Sequence, residues 1–77
     1  MPKLPVISGK NLLRLLIKNN FILVRQKGSH VFVTDVGGKK TTIIPVHANE
    51  DLGKGLLKSI LADLEISMEE LILMISK

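Results

Sequence analysis

The sequence has no cysteine, no tryptophan and no tyrosine, and phenylalanine occurs only twice. The absence of cysteine excludes disulfides, cysteine-based zinc sites and thiol nucleophiles. With so few aromatic side chains, base recognition by stacking should contribute little to any nucleic-acid binding. No apolar run reaches the roughly 18–20 residues that a membrane crossing needs, and the N-terminal residues lack a signal-peptide pattern. We therefore expect one domain over residues 1–77, in the cytoplasm and with no membrane partner.

Charge is distributed unevenly along the chain. Residues 1–60 contain ten Lys and Arg against three Asp and Glu, a balance of +7, whereas residues 61–77 have a balance of −3. A basic body favours a polyanion or an acidic protein as its partner, although a solvated surface accounts for the same charges. Composition alone does not decide between these interpretations.

The first periodic segment predicts an amphipathic helix. Ser8 is a suitable N-cap residue, and Asn19-Asn20 is suited to ending the helix. The apolar residues between these ends recur at helical spacing on one face. They are Leu12, Leu13, Leu16 and Ile17.

Three β-rich segments follow, at residues 21–27, 30–36 and 41–46, and they predict a three-stranded antiparallel meander. Gly28-Ser29 joins the first two segments with glycine first, as a type II′ hairpin turn requires, and Gly37-Gly38 marks the second turn. Pro45 has no N–H to donate, so the third strand should be an edge strand or should end there.

Regular two-residue turns would fix the register and the two faces of this sheet. One face would be mixed in character, and the other would be apolar and would meet the helices. The predicted opposite pairs on the mixed face are Lys27–His30, Arg25–Phe32, Leu23–Thr34, His30–Pro45, Phe32–Ile43 and Thr34–Thr41. The apolar face would carry Ile22, Val24, Val31, Val33 and Ile44.

Two further helices are predicted after the sheet. The first has an apolar face formed by Leu56, Leu57, Ile60, Leu61 and Leu64. Ser67 and Glu70 match a capping box that opens a short last helix over residues 68–75. That helix is apolar almost all round, and its surface either joins the core or contacts a partner or a second copy of the chain.

Four short motifs, in this order and in a chain of this length, resemble the HicA toxins of HicA–HicB toxin–antitoxin pairs. They are Ser8-Gly9-Lys10, Gly28-Ser29-His30, Ile44-Pro45-Val46-His47 and Gly55-Leu56-Leu57 with Ile60-Leu61. The resemblance implies an α+β fold of order α-β-β-β-α, similar to a double-stranded RNA-binding domain, and the capping box at Ser67 adds the prediction of a short extra C-terminal helix. It further implies a ribosome-independent mRNA endoribonuclease that a HicB-type antitoxin inhibits in a hetero-oligomer.

The same resemblance implies that His30 is the catalytic histidine. A histidine can transfer a proton near neutral pH, and the 2′-hydroxyl of RNA can serve as the internal nucleophile. His47 is either a second acid–base group, a phosphate contact or a residue that only caps its loop. The candidate RNA-binding residues are Arg25, Lys27, Ser29, Lys39, Lys40, His47 and Lys54.

We expect no metal and no cofactor, because two histidines without a fixed third ligand make a poor zinc site. Two functions other than a ribonuclease remain open at this point. One is an RNA-binding module without catalysis, and the other is a protein-interaction domain that uses the apolar last helix.

Overall fold

A computed structural model describes residues 4–47 and 50–76, in which three helices and three strands follow one another in the predicted order. The three strands form one antiparallel sheet of order β1-β2-β3. The α+β class is confirmed. The elements are α1 (Gly9–Lys18), β1 (Ile22–Lys27), β2 (His30–Thr34), β3 (Thr41–Pro45), α2 (Lys54–Asp63) and α3 (Met68–Ser76).

Both ends of α1 are set by local hydrogen bonds, as the sequence predicts. The Ser8 hydroxyl accepts a hydrogen bond from the backbone N–H of Asn11 at 3.1 Å, which satisfies one of the free N–H groups of the first turn. At the other end Asn20 has φ 71°, in the left-handed region that asparagine tolerates. The N–H of Phe21 then donates to the carbonyl of Leu16 at 3.0 Å, which closes a Schellman-type end.

The predicted sheet register is confirmed for the β2–β3 hairpin and for the part of β1 nearest its turn. His30 lies opposite Lys27 on one side and opposite Pro45 on the other. Phe32 lies between Arg25 and Ile43 in the same way. β3 is an edge strand and ends at Pro45, as the missing N–H of proline requires.

The predicted pairing of Leu23 with Thr34 is wrong, because β1 has a bulge at Val24. Leu23 pairs with Val33 and Ile22 with Thr34, so the register shifts by one residue beyond the bulge. Val24 is 58% exposed and Ile22 is 46% exposed. The prediction that both side chains lie on the core-facing side of the sheet is therefore wrong. An inserted residue in one strand reverses the facing of the residues beyond it, which alternation alone cannot reveal.

The core lies between the helices and one face of the sheet. On that face Val31, Val33 and Ile44 are fully buried, as predicted. Thr42 is also buried there, and its hydroxyl donates to the Asp63 carboxylate at 2.9 Å, which joins β3 to the end of α2. The helices contribute Leu12, Leu16, Leu57, Ile60, Leu61, Leu64 and Leu71 to the same cluster, whereas Leu56 of the predicted apolar face is 42% exposed.

α3 begins at the predicted capping box and divides its apolar surface between core and solvent. The N–H of Glu70 donates to the Ser67 hydroxyl, and the N–H of Ser67 donates to the Glu70 carboxylate, each at 3.0 Å. The bond from the Ser67 N–H holds the pKa of Glu70 below its usual value. Leu71 is fully buried, but Leu73 is 62% exposed and Ile75 is 45% exposed. None of the helices in the described part of the chain has the length and apolar character that a membrane crossing requires.

The start of α1 packs directly against the end of β3. A Cβ atom placed on Gly9 would overlap the carbonyl oxygen of Pro45, so only glycine allows this approach. The N–H of Leu52 donates to the carbonyl of Ile7 at 2.8 Å, and this bond fixes the segment before α2 to the segment before α1. The starts of both helices therefore lie at the end of the sheet where β3 finishes.

Replacing Gly9 by alanine should destabilise the fold, because the added methyl group meets backbone that cannot rotate away. We expect Gly9→Ala to lower the free energy of unfolding by about 1–3 kcal/mol, the usual range for overpacking. The matched control is Gly55→Ala within α2, where nothing lies within 4 Å of the added Cβ. That control should be neutral or more stable by roughly 0.4–1 kcal/mol. Urea unfolding of both variants measures the difference, and equal midpoints would contradict the close approach.

Candidate functional site

The turn between β1 and β2 holds Lys27 and His30 side by side. Gly28 has φ 61°, which the first position of a type II′ turn requires. Lys27 and His30, which flank the two turn residues, are cross-strand partners. The Gln26 amide donates to the carbonyl of Gly28 at 3.0 Å and braces the turn. Both Lys27 and His30 are exposed. A cation and an imidazole therefore point from adjacent strand ends toward solvent.

His47 follows the last residue of β3 by two positions and lies at the same end of the sheet as Lys27 and His30. The N–H of Val46 donates to the carbonyl of Ser29 at 2.6 Å, which ties the residues after β3 to the hairpin turn. The Ser29 hydroxyl and His47 Nε2 are 3.4 Å apart, and either group can donate according to the histidine tautomer. His30, Ser29 and His47 thus gather at one end of the sheet, beside the close contact of Gly9 with Pro45.

A small cleft of about 130 Å³ opens beside His47 at the start of α2. Glu50 and Asp51 line it together with His47 and Gly53. Lys54 is the first residue of α2. Gly53 precedes it and makes no side-chain cap, which leaves the N–H groups of the first turn free for a phosphate, as a phosphate site at this helix start would need. The two carboxylates place negative charge at the same position and oppose such a phosphate. Among residues 4–47 and 50–76, no three His, Asp or Glu side chains come together as a group that could hold a metal ion.

Arg25 lies on the open face of the sheet, over the ring of Phe32. Its Cζ is 4.6 Å from the ring centroid, a cation–π distance. Both side chains line a groove of about 490 Å³, which other residues of the three strands and Leu56, Ser59 and Asp63 of α2 also line. Since side chains two apart on a strand share a face, His30 lies on the same face of the sheet as Phe32.

Lys39 and Lys40 are not brought to this end of the sheet. They lie in the turn between β2 and β3, which follows the end of β2 farthest from His30. The distance along β2 from His30 to that end is about 13 Å, at a rise of 3.3 Å per residue. The Asp35 carboxylate accepts hydrogen bonds from the N–H groups of Lys39 and Lys40 at 2.8 and 3.1 Å. These bonds, that from Lys40 most strongly, hold the pKa of Asp35 below its usual value.

The candidate RNA-binding residues therefore form two groups and not one. Arg25, Lys27, Ser29 and His47 share the His30 end or the open face beside it, and Lys54 follows Gly53 of the cleft at the start of α2. Lys39 and Lys40 lie at the opposite turn. Asp35, which organises that turn, was not among the residues predicted from the sequence. An Asp two residues before Gly37-Gly38 is nevertheless a recognisable turn-forming pattern, and it could have identified this residue.

The architecture and the histidine on its hairpin define a small α+β domain with an exposed, cation-flanked imidazole. The family model for the HicA toxin of bacterial toxin–antitoxin systems matches residues 9–66, most of the chain. The chain belongs to this family and is a toxin of a toxin–antitoxin system, which implies a cognate antitoxin as partner. No curated protein and no solved structure matches the chain significantly.

Removing the charge of Asp35 should change how stability depends on pH. Its folded pKa is lowered, so its contribution is fully present above the unfolded carboxyl pKa and is lost as pH falls through the folded value. The isosteric control Asp35→Asn keeps an acceptor for the two N–H groups but does not titrate. In urea unfolding, the stability difference between wild type and Asp35→Asn should be largest near neutral pH and should shrink on acidification. A difference that stays constant down to pH 2.5 would contradict the role of the carboxylate.

Proposed function

We propose that the chain is a ribosome-independent endoribonuclease that cleaves mRNA, and that His30 acts in it as a general acid or base. The observation that carries this proposal is the position of His30. It is exposed on the central strand, beside Lys27, at the end of the sheet where Ser29 and His47 also lie. Membership of the HicA family supports the toxin role that such an activity would serve.

The site suits an intramolecular attack by the RNA itself. A phosphodiester beside Lys27 would have its charge partly neutralised, and an imidazole within hydrogen-bond reach can take the proton of the adjacent 2′-hydroxyl. The chain has no cysteine that could attack in place of the 2′-oxygen. We propose that the reaction needs no metal and no cofactor, because proton transfer and charge neutralisation supply the necessary chemistry.

RNA would first meet the group of candidate contacts nearest to His30. Arg25 and Lys27 lie on the strand beside it, and Ser29 and His47 lie at its turn. Lys54 follows Gly53 of the cleft that Glu50 and Asp51 line, so we propose a weaker contact there. Lys39 and Lys40 would contact only an RNA segment long enough to run the length of the sheet.

The His30→Ala substitution tests the catalytic proposal. General acid–base catalysis typically contributes about 10²–10⁴-fold, so cleavage of single-stranded RNA should fall by at least about 100-fold and growth inhibition should be lost. Exposed Lys58 on α2 provides a control, and Lys58→Gln should retain activity. Circular dichroism establishes that both variants are folded.

Affinity separates this proposal from its alternative, an RNA-binding module without catalysis. We expect His30→Ala to bind an RNA oligonucleotide with close to wild-type affinity in a filter-binding assay. A wild-type protein that binds the oligonucleotide and never cleaves it would support the non-catalytic module. A folded His30→Ala variant that still cleaves RNA would remove His30 from the mechanism.

We further propose a HicB-type antitoxin as the partner that restrains the toxin, and that it covers His30 directly. Arg25 and Lys27 are exposed cations near His30. Their charge favours binding of an acidic or polar surface of the antitoxin. A second contact surface is available on α3, where Leu73 and Ile75 remain exposed next to Met74. Binding to either surface would raise the apparent stability of the toxin by mass action.

A crosslinking experiment distinguishes direct occlusion from inhibition at a distance through α3. A photoreactive residue at position 30 should crosslink to the antitoxin in the purified complex. A Leu73→Asp variant should weaken the complex without abolishing inhibition at saturating antitoxin. If the partner inhibits while position 30 stays open to solvent and uncrosslinked, direct occlusion is wrong.

A further inference from the structure

Both histidines of the chain lie at the same end of the sheet, although they are 17 positions apart in the sequence. His30 opens β2, and His47 follows β3 by two residues. His30 lies opposite Pro45, whose ring fixes the backbone direction just before His47. The bond from the Val46 N–H to the Ser29 carbonyl then holds the two loops together. Backbone contacts therefore hold together the two segments that carry the histidines.

Stability does not account for the placement of His47. Its side chain is exposed, and its hydrogen bond with the Ser29 hydroxyl is 3.4 Å long in an exposed setting. A bond this long and this accessible to water contributes little to folding. The backbone bond from Val46 already fastens the loop. The imidazole of His47 thus lies beside the Ser29 hydroxyl and is accessible to a ligand.

We propose that His47 is a second catalytic residue and that it donates a proton to the leaving 5′-oxygen while His30 accepts the proton of the 2′-hydroxyl. This inference rests on the proposed ribonuclease function and assigns the role of each histidine within it. Ser29, between them, is a positioning residue that orients His47 through its hydroxyl.

The charges around the two histidines differ in sign and suit these roles. Lys27 is the cross-strand neighbour of His30, and a neutral proton acceptor is compatible with an adjacent cation. Glu50 and Asp51 line the cleft of His47, and a cationic proton donor is compatible with adjacent carboxylates. Lys54, at the start of α2, is the nearest cation in sequence to that cleft.

The proposed step balances without any further reactant. The 2′-oxygen loses its proton to His30 and attacks the phosphorus, and the bond from phosphorus to the 5′-oxygen breaks. His47 gives its proton to that 5′-oxygen. The products are a 2′,3′-cyclic phosphate and a 5′-hydroxyl, and the two imidazoles have exchanged protonation states, which solvent or hydrolysis of the cyclic phosphate reverses.

An RNA oligonucleotide with a bridging sulfur in place of the scissile 5′-oxygen tests the assignment. A thiolate leaves readily without a proton, since a thiol ionises near a pH of about 8.5, far below an alcohol. On ordinary RNA we expect His47→Gln to lose about 10²–10⁴-fold in rate. On the sulfur-bridged RNA most of this loss should disappear, whereas His30→Ala should remain slow on both substrates. Ser29→Ala should show a smaller loss that the sulfur also relieves.

Two controls make the outcomes distinct. The Lys58→Gln variant should behave as wild type on both substrates. Affinity for an uncleavable oligonucleotide with a 2′-deoxy sugar at the scissile position should fall much less than the cleavage rate in His47→Gln, whereas for a residue that only binds phosphate the loss of affinity would account for the loss of rate.

Three results would overturn the assignment of His47. They are equal impairment of His47→Gln on both substrates, sulfur rescue of His30→Ala in its place, or wild-type rates from His47→Gln on ordinary RNA. A wild-type protein that cleaves neither substrate would instead overturn the proposed ribonuclease function itself.

Discussion

The close approach of Gly9 to the carbonyl of Pro45 is the constraint on which the arrangement of this domain depends. It presses the start of α1 against the last residue of β3, and the Leu52–Ile7 hydrogen bond brings the start of α2 to the same end. Proline at position 45 suits this junction, because β3 needs no further ladder donor there. The starts of two helices consequently pack at the end of the sheet that carries the hairpin turn with His30 and the loop with His47.

Most of the elements and five of the six cross-strand pairs could be predicted from the sequence, because those features depend on local patterns. Helical spacing locates α1 and α2, and the caps at Ser8, Asn20 and Ser67 depend on residues within one turn. The β2–β3 register follows from alternation between two turns. The bulge at Val24 could not be predicted, because one extra residue in a strand rich in apolar side chains leaves the pattern on both sides plausible.

The residues of the candidate site were proposed from the sequence and their roles stay a prediction, but the way they group in space could not be predicted. Gly28-Ser29-His30 and His47 could be named from their motifs, yet the contact between Ser29 and His47 requires the tertiary fold. The lysines illustrate the opposite case, because equal charges in sequence gave no indication that Lys39 and Lys40 lie at the far turn under Asp35. Close packing at Gly9 was also hidden, since a glycine near a helix start has several ordinary explanations.

The bulge in β1 has a consequence for how molecules of this protein meet one another. β1 is an edge strand, exposed along its whole length, and strands of this kind can pair with the edges of neighbouring molecules and begin aggregation. The bulge interrupts the regular row of backbone donors and acceptors, and Arg25 and Lys27 add repulsion between like edges. The irregularity that the sequence pattern does not reveal therefore works against edge-to-edge pairing between copies of this domain.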